Sequence, residues 1–258
     1  MKQMKFFLVA LMAVVMGLSV TSCMNGDDNT IVQRTDFVRV VQDFPVYFKN
    51  MAGDKLVPTS VITTSETMAL IYYQYDRATV AENANSVTIT LLAEPSYIKE
   101  GYATTSPYLT ANAPVMTLEP STAYGAVKGG FFDKNTILLP VAYKIKMYEK
   151  EEDMKAELNR HTFELSYDSE TGFKDGVLTL RLKHNAQAIE SESGDGQTVE
   201  RKDNTYEYKA FGLSAVLRSL SSTPTKINIV IDQNENNDKF GEGYSTEKTF
   251  PYEYQFTE

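Results

Sequence analysis

Apolar and polar residues alternate with period two along most of the chain, the pattern of strands with one buried and one wet face. Residues 37–41 and 46–48 open the series, followed by a turn at residues 50–54. Residues 68–75 form a more continuous apolar run, and Val87, Ile89 and Leu91 alternate with Thr88 and Thr90. These predict four or five strands within about 60 residues. After a looser stretch at 99–125, with Pro107, Pro114 and Pro120, alternation resumes. Ile137, Leu139, Val141, Tyr143, Ile145 and Met147 share one face of a long strand. Phe163, Leu165 and Tyr167 mark the next, then Leu178, Leu180 and Leu182 face inward with Thr179, Arg181 and Lys183 outward. Further strands are predicted at 206–211, 227–231 and 250–256. Sustained alternation favours antiparallel sheets in a sandwich or barrel.

Three segments depart from the pattern. Residues 149–160 are dense in charge, with Met154 and Leu158 four apart, and read as a short helix or solvated loop. Leu213, Val216, Leu217 and Leu220 follow helical spacing until Thr223-Pro224 stops them. Residues 187–204 are polar and read as an exposed loop.

The first 22 residues belong to a different part of the story. Lys2 and Lys5 precede thirteen mostly apolar residues, 6–18, the length of a secretory h-region and too short to span a bilayer comfortably. Val20-Thr21-Ser22-Cys23 then looks like the lipobox of bacterial lipoproteins, which makes Cys23 the lipidation site and residues 1–22 the leader. Two or three acyl chains, at about 0.8 kcal/mol per buried methylene, hold a protein to a membrane where one chain does not. Residues 23–34 read as a flexible tether. Its Asp27 and Asp28, set back by Met24-Asn25-Gly26, resemble the surface-export signal of Bacteroidetes-type lipoproteins. The expected location is the outer membrane, on its periplasmic or cell-surface side.

Charge and cysteine content narrow the function. With the leader gone, 23 basic residues face 34 acidic ones, a net charge of −11. Nucleic acid and anionic headgroups are disfavoured partners, since both call for lysine and arginine. Cys23 is the only cysteine, so once it carries lipid none remains for a disulfide, a zinc thiolate site or a nucleophile.

The lipobox leader, the small five-strand N-terminal part, and the stretch from His161-Thr162-Phe163-Glu164-Leu165 through Leu178-Thr179-Leu180-Arg181-Leu182-Lys183-His184-Asn185-Ala186 resemble the NigD-like lipoproteins. The resemblance implies a mainly β fold: an N-terminal OB-like barrel at residues 35–98, then a linker and an antiparallel C-terminal β-sandwich within 99–258. It supplies no catalytic residue. It suggests a link to bacteriocin production or self-protection, from the gene cluster that names the family.

Chemistry is sparse. His184 lies in phase with the inward leucines and reads as a strand-end histidine bonded to backbone, with a general base or ligand beside Asn185 as the alternative. His161 reads as a surface residue at a loop-to-strand junction. Two histidines 23 positions apart without clustered carboxylates do not amount to a metal motif. Asp232, Asn234, Asn236 and Asp238 resemble the first half of a calcium loop, but Asn237 stands where the sharp-turn glycine belongs and Gly243 where the bidentate glutamate belongs. The competing reading is a solvated hairpin turn. Tyr102, Tyr108 and Tyr124 could stack on sugar rings, or pack between domains. No Gly-x-Ser-x-Gly elbow is present. The expected function is therefore a lipid-anchored, non-enzymatic binding protein for a protein or glycan partner, without cofactor unless calcium binds. A bacteriocin-related factor and a glycan-active enzyme are the alternatives.

Overall fold

A computed structural model of the chain describes residues 30–82, 84–120, 128–187 and 200–256. The leader, Cys23, most of the tether, Tyr124 and most of the polar loop at 187–204 lie outside the described residues. The chain divides into two compact units. The first ends at Glu100; the second comprises Gly101–Pro120 and the described part of Lys128–Glu258.

The first unit is a closed barrel. Its strands are β1 (Ile31–Val41), β2 (Tyr47–Asn50), β3 (Lys55–Pro58), β4 (Met68–Asp76) and β5 (Ser86–Leu91), with β6 (Ser96–Ile98) added on β4. They pair in the order β1-β2-β3-β5-β4, and β4 closes the ring on β1. Closure leaves no open edge among the five. The β3–β5 pair is parallel, which alternation alone does not reveal. Inward positions Val38, Val40, Phe48, Ala69, Ile71, Tyr73 and Ile89 fill the interior. Tyr73 donates its hydroxyl to Asp36 at 2.7 Å, and burial together with that carboxylate raises its pKa.

The second unit has two sheets. One joins β7 (Glu100–Tyr102), β13 (Asp203–Gly212), β9 (Thr136–Ile145) and β8 (Gly130–Asp133) in that order. The other runs β10 (His161–Tyr167), β12 (Val177–Ala186), β14 (Lys226–Gln233) and β15 (Thr246–Glu253), with the short β11 (Phe173–Lys174) on β12. Their inner faces share one core that includes Leu139, Val141, Tyr143, Leu165, Leu178, Leu180, Leu182 and Ile229. The segments with helical spacing form α1 (Glu151–Asn159) and α2 (Ser214–Ser219). Glu151, Glu152 and Asp153 occupy the first turn of α1, where negative charge complements the helix dipole.

Two expectations need correction. The sandwich is not wholly antiparallel: β12 and β14 pair in parallel. Between them the chain crosses to the other sheet as β13, turns through α2 and returns, so β14 enters in the direction of β12. Nor is the proline-rich stretch an open linker. Residues 101–120 belong to the second unit, and Ala103, Val115 and Leu118 are buried. Thr104 bonds the edge of β10, Val115 exchanges bonds with Asp232 and Asn234, and Thr117 pairs with Ala142 on β9. Proline breaks the alternation there, yet single backbone groups still find partners.

Candidate functional site

Strand β12 carries chemistry on both faces. Because side chains alternate, Leu178, Leu180, Leu182 and His184 point into the core while Thr179, Arg181 and Lys183 point out.

On the inner face, register places His184 opposite Phe163 and His161 opposite Ala186. His161 is buried, which corrects the surface reading. The two imidazoles meet: His161 Nδ1 is 2.9 Å from His184 Nε2. Two nitrogens on one tetrahedral zinc, each bonded at 2.0–2.1 Å, would stand about 3.3 Å apart, so this contact is a direct hydrogen bond. Protons can be assigned by elimination. His184 Nδ1 must donate to the Pro114 carbonyl, 2.8 Å away, because a carbonyl only accepts. In the neutral pair His184 Nε2 then accepts, and His161 Nδ1 is its donor. His161 Nε2 is left unprotonated, 3.4 Å from Glu157 Oε1.

Glu157 comes from α1. It lies on the helix face of Met154 and Leu158 and is fully buried. Its Oε1 accepts from Arg201 Nε at 2.7 Å and from the Lys146 amide at 3.1 Å, while Oε2 lies 3.5 Å from Arg160 Nη1. Burial alone would raise the Glu157 pKa, but the Arg201 and Lys146 hydrogen bonds and the Arg201 charge hold it below the usual range. Burial pulls both histidines down, His161 to about 4 with help from Arg201 and against Glu157, and His184 to about 3 against its bond to Pro114. Tyr143 packs on both rings and donates to Glu207, with its pKa raised by burial and by that carboxylate. Arg201 also reaches the Gln187 carbonyl, and its amide donates to Asp238. This network ties a helix, two strands and a turn together.

On the outer face, residues 104–112 strap across β10 and β12. The buried Glu164 accepts from the Tyr108 and Leu109 amides at 2.9 and 3.1 Å, and Asn185 donates to Thr110 O at 2.8 Å. Beside the strap lies a groove of about 490 Å³. Its floor includes Ser166, Thr179, Arg181 and Lys183; Pro107 and Thr105 stand at the strap side, and the turn at residues 168–172 and Glu247 border it elsewhere. Its two cations are paired, while Asp168 accepts from the Glu170 amide and the Thr171 hydroxyl. Arg181 bridges Asp232 and Glu247, and Lys183 donates to Leu109 O at 3.1 Å with Glu164 Oε1 at 3.6 Å.

The structure does not gather the calcium candidates. Asp232 faces Arg181, and Asp238 accepts from the Arg201 amide. Asn234 is buried, its Oδ1 accepting from the amides of Asn236 and Asn237 and its Nδ2 donating to Asn237 and Lys239. Asn236 is exposed. Among the described residues no cluster of three His, Cys, Asp or Glu side chains is arranged to hold a metal ion. The segment is the hairpin turn between β14 and β15. Tyr102 and Tyr108 are exposed, at 75% and 76%. Glu157, Arg201 and the groove were not singled out from sequence.

No family model matches the chain, and no curated protein does. Solved structures do. A protein of Bacteroides fragilis described as a "putative lipoprotein" shares 33% identity over 88% of this chain and 100% of its own, with a TM-score of 0.74. A protein of unknown function from Bacteroides vulgatus has the same fold at 12% identity and a TM-score of 0.50, over 88% of this chain and 92% of its own. A NigD-like immunity protein from Bacteroides caccae aligns at 15% identity with a TM-score of 0.47, over 88% and 99%. The two-unit β fold and a 33% match that covers 88% of this chain and the whole of the B. fragilis protein place the chain in that protein's family.

Proposed function

We propose that this is a lipid-anchored envelope protein of the outer membrane that binds its partner without catalysis, through the groove on the outer face of the second unit. The groove itself is the observation that carries the reading. It is concave, within the 300–1,000 Å³ range of ligand sites, and rests on a rigid sheet. Its side chains fit holding better than turnover. The hydroxyl of Ser166 donates to the Arg181 carbonyl at 3.3 Å, and the two histidines lie on the opposite, buried face of the strands. Cys23 supplies the anchor, through acyl chains that its lipobox setting would attract.

Site-specific photo-cross-linking in intact cells tests this. A cross-linker at Thr179 should capture a partner, one at Gln33 on the barrel surface should not, and a Cys23→Ala chain should lose capture at the membrane. Capture from Gln33 but not Thr179 would move the binding surface to the barrel. Turnover of any captured material would overturn the non-catalytic reading.

A further inference from the structure

We infer that the barrel has a docking surface of its own, at the end away from the tether, and that its occupant is a protein with an apolar pocket rimmed by lysine or arginine. This surface is separate from the groove. Strands β1 and β3 run toward this end and β2 and β4 away from it, which places two loops there: residues 42–46, between β1 and β2, and residues 59–67, between β3 and β4. Gln42 Nε2 donates to Thr64 O at 3.0 Å and to Glu66 O at 3.4 Å, so the two loops are tied to one another. The Asp43 carboxylate accepts from the Phe44 amide at 2.9 Å and steadies the tip.

Each loop turns one apolar side chain in and another out. Val46 and Ile62 are partly buried and pack on the barrel core. Phe44 is fully exposed, and Val61 is 94% exposed. The inward pair already packs on the core at this end, so the outward pair serves no packing role there. It holds apolar surface in water, on two loops braced together, where a partner can cover it. Aromatic side chains are enriched at protein interfaces, where they fill desolvated pockets.

Charge and attachment choose the occupant. The two loops contain Asp43 and Glu66 and no lysine or arginine. The cations near them stand on the walls: Arg39 of β1 is paired with Glu100 at 3.3 Å, and Lys99 follows β6. Carboxylates beside the tip repel anionic headgroups, and a second copy would set the same carboxylates against them. A basic rim around an apolar pocket complements tip and carboxylates together. Residues 23–30 join the barrel at the far end, at Ile31, and the eleven residues of β1 span about 36 Å of strand before the tip. Eight tether residues reach at most about 29 Å. An anchor at Cys23 therefore favours a partner that stands off the membrane over the bilayer itself.

Photo-cross-linking from Ser60, beside Val61, in intact cells finds the partner, which is identified by mass spectrometry and purified. Calorimetry then titrates it with the chain lacking its leader and carrying Cys23→Ala. The expected result is binding that Phe44→Ser and Val61→Ser each weaken at least tenfold while both variants keep the parent melting temperature. Affinity should fall as salt rises, and Asp43→Asn should weaken binding and flatten that dependence. Met51→Ser, in the turn at the tether end, should bind as the parent does. Affinity that neither loop variant changes, affinity indifferent to salt, or no protein captured from Ser60 overturns the assignment. Flotation with vesicles of phosphatidylglycerol and phosphatidylethanolamine, and sedimentation velocity, test the rivals. Vesicle binding or a dimer that Phe44→Ser abolishes would give the tip to lipid or to a second copy instead. The result at Thr179 bears on the groove alone.

Discussion

The two faces of β12 meet polar groups under opposite conditions. Inside, His184, His161, Glu157 and Arg201 are joined in one chain of contacts, with both histidines and Glu157 buried. Outside, Arg181 and Lys183 are paired as well, yet solvent reaches them. The same residue types thus do different work a few ångströms apart. The inner set holds α1, β10, β12 and Arg201 in register, and removing Glu157 or Arg201 leaves the other charge without its partner. At Arg181 the outer set can lose a member cheaply, and so is free to serve a ligand.

The contrast breaks most readily at Glu157. Glu157→Ala leaves Arg201 and the Lys146 amide facing a void, and should cost about 3–5 kcal/mol, read as a fall in the urea midpoint. If it costs no more than a groove substitution, the distinction between the faces collapses. Acid should have the next largest effect. Both buried imidazoles have pKa values below the unfolded histidine value near 6.5, so between there and about pH 4 the unfolded chain takes up protons that the folded chain refuses. Stability present above pH 6.5 is therefore lost as pH falls. Between pH 7 and pH 5 the loss should be about 2–4 kcal/mol, and a His161→Leu/His184→Leu double variant should flatten the slope. A slope unchanged in that variant would assign the acid sensitivity elsewhere.

Smaller effects sharpen the outer side. At Gly172, in the turn bordering the groove, an added Cβ would collide with the Asp168 carbonyl and stand 2.6 Å from the Tyr167 ring. Gly172→Ala should cost about 1–3 kcal/mol in thermal unfolding, because backbone rather than a flexible side chain must give way. Arg181→Gln should change stability by less than about 1 kcal/mol, since its ion pairs are solvent-exposed. A larger loss would make Arg181 a structural residue and weaken its role in recognition.

Much of the architecture could be read from the chain. The inward row Leu178, Leu180, Leu182 and His184 follows from period two alone, as does the alternation of β9; α2 stood out by spacing, while the charge of 149–160 left helix and solvated loop both open. His184 bonded to backbone was readable for the same reason. His161 was not. Its neighbours Asn159 and Arg160 are polar, and nothing local says that α1 will fold over it. Glu157 was hidden among the charges of its helix, because only packing shows which carboxylate faces inward. The 101–120 stretch gave no periodic signal, since isolated backbone bonds to three different strands leave no pattern in the side chains.

Alternation, spacing and composition by themselves determined the β class and the inward faces of the main strands. These depend on contacts between near neighbours. Tertiary structure alone decided the parallel entry of β14, the meeting of His161, His184, Glu157 and Arg201, and the groove between strap and turn. Each of these joins residues far apart along the chain. Whether a charge ends buried beside a partner or exposed beside a groove is set by which distant element folds over it.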